Sequence, residues 1–167
     1  MGSKKWEFIG NKGEFILKNA DCNNSLYFPI ANEVGMMSAI TPTMKGDAKT
    51  GHNTFALEPI SIEDLNNKKS SRNFWVIIDD KDVWSATGVS AKQEAERFND
   101  SKESVELEAG LLWQKVVREN SDLGIKSEIT NFVPVTDDTV ELMKVEITNT
   151  GDLAKKISSR FASIIFQ

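Results

Sequence analysis

Apolar and polar positions along this chain alternate over short stretches broken by turn residues. Trp6-Glu7-Phe8-Ile9 and Glu14-Phe15-Ile16-Leu17 flank Gly10-Asn11-Lys12-Gly13, and two apolar runs around a short Gly-containing turn predict a β-hairpin. Residues 73–78, Asn-Phe-Trp-Val-Ile-Ile, form a compact β-branched and aromatic run that reads as a buried strand. A shorter run at residues 83–86 follows the polar Asp79-Asp80-Lys81-Asp82, so these two strands are expected to pair. Longer strands are expected at residues 111–118, 125–133 and 139–148. In the last, Met143, Val145 and Ile147 alternate with Lys144, Glu146 and Thr148, which puts one set on each face of a half-solvated antiparallel sheet. Strands in succession joined by turns make meanders. The expected fold is all-β, with strands in two packed sheets.

Helix is scarce in this pattern. Ser90 is a candidate cap for a short exposed helix within residues 90–100, and residues 61–65 fit one helical turn. Residues 27–71 break the alternation. They are rich in Pro, Gly, Asn, Ser and Thr and read as a long irregular loop. Its scattered apolar residues, among them Phe28, Ile30, Met36, Ile40, Phe55 and Leu57, argue for order. Ordered long loops on a β scaffold are where binding residues tend to sit.

Composition narrows the function classes. The chain has 167 residues and a formal net charge of -5, a soft prior for one domain. It lacks the dense basic patch that a nucleic-acid surface needs, since Lys68-Lys69 with Arg72 is too short a cluster. No apolar run approaches the length of a membrane helix, and the first residues lack the apolar core of a secretory signal. Cys22 is the only cysteine, so no internal disulfide can form. These readings give an expectation of a cytoplasmic chain with no nucleic-acid and no membrane partner.

The familiar catalytic signatures are missing: no phosphate-binding Gly-rich loop followed by Lys and Ser or Thr, no Gly-x-Ser-x-Gly, no His-Glu-x-x-His. His52 is the only histidine, which excludes a zinc site built from several imidazoles, and it reads as a polar loop residue. Cys22 reads as a small side chain in a turn region. Asp79-Asp80 and Asp137-Asp138 sit where turns are expected and read as solvated turn formers. Trp75, Trp84 and Trp113 fall on expected strands, where filling the core competes with stacking on sugar rings.

A succession of motifs adds to this. Tyr27-Phe28-Pro29-Ile30-Ala31-Asn32-Glu33-Val34-Gly35-Met36-Met37-Ser38 comes first, then Ile40-Thr41-Pro42-Thr43 with Gly46-Asp47, and Lys49-Thr50-Gly51-His52-Asn53-Thr54-Phe55. Pro59-Ile60-Ser61-Ile62-Glu63-Asp64-Leu65, Ser71-Arg72-Asn73-Phe74-Trp75-Val76 and Trp84-Ser85-Ala86-Thr87-Gly88 follow. Leu107-Glu108-Ala109-Gly110-Leu111-Leu112-Trp113 and Ser127-Glu128-Ile129-Thr130-Asn131-Phe132-Val133-Pro134 close the series. In this order the motifs resemble the disaccharide and oligoglucan phosphorylases of glycoside hydrolase family 94, formerly glycosyltransferase family 36. Within that family the resemblance is greatest to enzymes acting on β-1,2-linked glucans.

The resemblance implies a galactose-mutarotase-like β-super-sandwich carrying a long irregular loop insertion. It places that sandwich ahead of a helical linker and an (α/α)6 barrel. Family members cleave a β-glycosidic bond with inorganic phosphate as co-substrate, invert the anomeric centre and release an α-sugar 1-phosphate. They use no metal and no other cofactor, and the general acid is an Asp of the barrel. The expectation is therefore a single β-sandwich domain over residues 1–167, truncated at its carboxy end where residues from Ser159 depart from the family pattern. The catalytic barrel is absent and no catalytic residue lies in the chain. In the family the sandwich takes part in a homodimer and its loops approach the active site. Asn32, Glu33, Arg72 and Asn73 are accordingly the candidate contacts to a β-glucan oligosaccharide or phosphate. Two further readings stand beside this one, a free-standing carbohydrate-binding β-sandwich and an inactive remnant.

Overall fold

The computed structural model describes residues 6–23, 26–57, 71–100 and 102–162. The expected helical turn at 61–65 and the Lys68-Lys69 cluster lie outside the described residues.

The fold is antiparallel β. The expected amino-terminal hairpin is β1 (Trp6–Ile9) and β2 (Glu14–Lys18), paired in register from Trp6 with Leu17 to Ile9 with Glu14. A 3-10 turn at Ala20–Cys22 leads to four short strands, β3 (Phe28–Ala31), β4 (Met37–Ile40), β5 (Ala48–Gly51) and β6 (Thr54–Leu57), which form a four-stranded sheet. This corrects the long irregular loop expected from residue 27 onward, because residues 28–57 are mostly hairpins. Their inward positions hold small and polar side chains as often as apolar ones, with Ser38, Thr41 and Thr43 buried beside Ile30 and Ile40. The period-two signal is correspondingly weak. Gly46, at φ +123°, lies where a Cβ would come within 1.9 Å of the Ala39 carbonyl oxygen, so only glycine lets the chain pass there.

β7 (Asn73–Ile78) and β8 (Asp82–Ser85) pair as expected through the turn between them. β7 also pairs with β13 (Ile157–Ala162), making a three-stranded sheet in the order β13-β7-β8. The turn residues Asp79 and Asp80 both adopt positive φ, which Asp tolerates better than most residues. Asp79 N donates to the Lys156 carbonyl at 2.8 Å, and the Asp79 carboxylate accepts from Lys156 N at 2.8 Å. A residue pair read as merely solvated thus starts the β13 pairing. Helix α1 (Ala91–Glu96) opens with a capping box between Ser90 and Gln93, as the Ser90 signal predicts.

The largest sheet has six strands in the order β1-β2-β9-β10-β11-β12, where β9 is Ser104–Gly110, β10 Trp113–Asn120, β11 Ile125–Phe132 and β12 Leu142–Asn149. Its outer face is charged and carries the ion pairs Lys115–Glu108, Lys126–Glu128 and Lys144–Glu146. Its inner face presents Val105, Leu107, Ala109, Val116, Ile125 and Ile129 to a core they share with Ile30 and Ile40 of the four-stranded sheet and Val76, Ile78 and Trp84 of the three-stranded one. The sandwich thus has a second layer divided into two sheets, bridged between Lys45 and Ser71. The inner face is not purely apolar. Gln114, Arg118, Ser127 and Asn131 are buried there too, on the inward side of the same alternation. Of the tryptophans, Trp84 is buried, Trp75 and Trp113 are half-buried and Trp6 is exposed.

Candidate functional site

The four candidate contacts fall at two places. Asn32 and Glu33 occupy the turn between β3 and β4. The Asn32 Oδ1 accepts from Met36 N at 3.0 Å and so fixes the turn. Its Nδ2 donates to the carbonyls of Pro134, Thr136 and Asp138, at 3.3, 3.3 and 2.8 Å. One amide therefore ties the β3–β4 turn to the connection between β11 and β12. Glu33, next to it, is exposed.

Arg72 and Asn73 lead into β7. Asn73 is half-buried and holds the local chain by hydrogen bonds with Ser71. Arg72 is only 3% exposed. Its Nε and an Nη bond the Glu141 carboxylate, and its other donors reach the carbonyls of Gly46 and Asp47 at 3.1 and 3.2 Å. Ser38 Oγ donates to the same carboxylate. Removing either partner of such a buried pair leaves an uncompensated charge, so the pair locks three segments together. Glu141 was not singled out from the sequence, and its distance along the chain from Arg72 and Ser38 explains why.

Asn32 and Arg72 thus clamp the two ends of one connection, residues 134–141. Beside the Arg72–Glu141 pair lies a cleft of about 400 Å³, walled chiefly by Met36, Leu57, Leu142, Met143 and Phe161. The geometry makes Asn32, Arg72 and Asn73 positioning groups for loops. Glu33 is the member of the four with a side chain open to solvent. Close to Arg72, Tyr27 donates to Asp47 Oδ1 at 2.7 Å. Burial, and next this hydrogen bond, push its phenol up to about 12. His52 is exposed in the β5–β6 turn, in keeping with a polar loop residue.

Chemistry elsewhere gathers around residues that no motif or spacing marks. Glu103 accepts from Trp84 Nε1, Asn120 Nδ2, Gln93 Nε2 and Arg118 Nη1 at 2.8–3.1 Å. All four of its usual acceptor sites are used. The partners come from β8, α1 and β10, a convergence that only the folded chain brings about. Gly88 makes room for it, because a Cβ there would lie 2.1 Å from an Arg118 nitrogen. Among the described residues no group of three or more His, Cys, Asp or Glu side chains is placed to hold a metal ion. No helix among them is long and apolar enough to cross a membrane.

A six-stranded antiparallel sheet backed by two smaller sheets, with its loops tied by buried polar groups, defines a β-supersandwich scaffold domain. Residues 43–161 match the family described as Glycosyl hydrolase 94, supersandwich domain. That stretch is well over half of the 167 residues, and the chain belongs to this family. A comparison with curated proteins found no match.

Proposed function

We propose that this chain serves as the non-catalytic supersandwich domain of an inverting carbohydrate phosphorylase. In this reading the parent enzyme cleaves β-glucans of the β-1,2-linked class with inorganic phosphate and releases α-glucose 1-phosphate in the cytoplasm. The sandwich supports a homodimer and carries loops toward an active site whose general acid belongs to a barrel domain. Glu33 meets a sugar hydroxyl directly, while Asn32, Arg72 and Asn73 hold the loops in place. The observation that carries the reading is the family match over residues 43–161, joined to a fold whose polar groups tie loops together. Inverting phosphorolysis needs an acid within hydrogen-bond reach of the leaving oxygen and a grip on phosphate.

A second reading, a free-standing carbohydrate-binding sandwich, is favoured by one feature. Trp6 and Phe8 on β1 are 55% and 66% exposed and pack edge to face with centroids 5.2 Å apart, leaving aromatic surface open to a sugar ring.

One experiment separates the two readings. The purified chain is incubated with β-1,2-glucan oligosaccharides and phosphate, glucose 1-phosphate is measured, and tryptophan fluorescence is followed during a sugar titration. The phosphorylase-domain reading expects no product above a no-protein control. Product that disappears when a carboxylate of this chain is changed would refute it. A saturable fluorescence change lost in Trp6→Ala would support the binding-module reading.

A further inference from the structure

Beyond β2 the chain runs through Lys18 and Asn19 into the 3-10 turn Ala20–Cys22, which faces the end of α1. Between them lies a cleft of about 470 Å³ bordered by Lys18, Asn23, Arg97, Asn99, Asp100 and Lys102. Arg97 is only 8% exposed. Its backbone carbonyl accepts from Cys22 Sγ at 3.1 Å, but its guanidinium meets no carboxylate, carbonyl or ring among the described residues. Of the other two buried arginines, Arg72 pairs with Glu141 and Arg118 with Glu103, although Nε and Nη2 of Arg118 stay buried without a hydrogen bond. A guanidinium held in a cleft wall with no acidic partner among the described residues is open to pairing with an anion from solvent.

The surroundings suit an anion. Lys102 Nζ is held at 2.9 Å from both Asp21 Oδ1 and Cys22 Sγ. Burial by itself would lower its pKa, but the bonds to Cys22 and Asp21 outweigh that and leave it above the ordinary lysine value, so it stays cationic. Asp21 is already engaged by Lys102 and lies 3.6 Å from Arg118. Lys18 is exposed at the rim, and Asp100, also exposed, is the one carboxylate among the described residues that borders the cleft. With Asp21 offsetting Lys102, Arg97 and Lys18 stand against Asp100 at the cleft, with the side-chain amides of Asn23 and Asn99 beside them.

We propose that this cleft binds a small tetrahedral oxyanion, either free phosphate or the phosphoryl group of a phosphate ester, with Arg97 as its two-pronged donor and Lys102 and Lys18 as the flanking charges. A planar guanidinium pairs with phosphate oxygens bidentately. The site stands on Arg97 and does not depend on the phosphorylase reading.

Cys22 borders the same cleft, is half-exposed and is the only cysteine in the chain, so its alkylation reports on occupancy. The test titrates inorganic phosphate into the purified protein at constant ionic strength, by calorimetry and by the rate of Cys22 alkylation, with sulfate and a hexose phosphate in parallel. The expected result is saturable binding that slows alkylation. Arg97→Gln should weaken binding about tenfold or more, as expected for losing a charge-assisted bidentate contact. The rim variant Lys18→Gln should weaken it by a smaller factor, and Arg160→Gln on β13 should leave it unchanged. Tighter binding of the hexose phosphate would identify an ester as the source, and equal binding the free ion. Absence of saturable phosphate binding would overturn the proposal, as would binding and Cys22 protection unaltered in both Arg97→Gln and Lys18→Gln. Should Arg97→Gln fail to fold, Lys18→Gln and the alkylation rate decide the matter.

Discussion

Tyr27 is the only tyrosine in the chain, which makes its titration readable alone. Burial is the larger cause of its raised pKa and the hydrogen bond to Asp47 the next, together pushing it to about 12. An unperturbed phenol titrates near 10 (about 10). The folded state holds this proton more tightly than the unfolded chain does. What Tyr27 adds to stability is therefore fully present below about pH 10 and is lost as the pH rises toward 12. Phenolate absorbance of the folded protein should show a midpoint near pH 12. In Asp47→Asn the midpoint should fall part of the way, because burial remains. A midpoint at the unperturbed value in the parent would show that the Tyr27–Asp47 contact does not persist in solution. At this scale the sequence was least informative about partners. Arg72 could be singled out as a functional candidate, but its partner Glu141, its burial and the carbonyls of Gly46 and Asp47 could not, since residue type says nothing about which distant group will face it.

Elements were more legible, and unevenly so. The β1–β2 hairpin, the β7–β8 pair, β11, β12 and the Ser90 cap follow from alternation, turn chemistry and capping, all of which act between near neighbours. β10 starts two residues later than the expected 111–118, because Leu111 is exposed and Leu112 has positive φ. Strands β3 to β6 leave little trace in the sequence because each has four residues, Pro29 interrupts β3, and register shifts break the β5–β6 pairing. β9 did carry a signal, with Val105, Leu107 and Ala109 buried against the alternate Glu106 and Glu108. β13 is made by its partner, with Ile157 to Ala162 running along Ile78 to Asn73. β7 is consequently the central strand of its sheet, and Val76 in it is 0% exposed. Losing two methyl groups there removes their transfer energy and leaves a cavity, so Val76→Ala should cost about 2–3 kcal/mol. Denaturant titration should show an earlier midpoint at an unchanged slope. A variant as stable as the parent would mean that β7 is not a core strand.

Across the whole molecule the open question of energetics is whether three sheets behave as one body. Their apolar side chains join a single cluster, and polar ties cross between them. Glu103 links β8 and α1 to β10. Asn32 links the four-stranded sheet to the β11–β12 connection, and Arg72 and Ser38 converge on Glu141 in that same connection. Peeling away any one sheet would expose shared core surface and strand buried polar groups at once, each of which carries a penalty. A single cooperative unfolding transition is therefore expected, with equal calorimetric and van't Hoff enthalpies. The placement of the aromatic residues makes the test specific. Trp6 and Trp113 lie in the six-stranded sheet and Trp75 and Trp84 in the three-stranded one, so tryptophan fluorescence reports on those two. The four-stranded sheet has no tryptophan, and its reporters are the far-ultraviolet signal it shares with all strands and Tyr27 at its margin. If that sheet were an independent unit, circular dichroism and Tyr27 absorbance would change in a step that tryptophan fluorescence misses. Coincident transitions by all three probes would establish that residues 28–57, which resemble a loop in sequence, are as firmly part of the sandwich as the strands that alternation reveals.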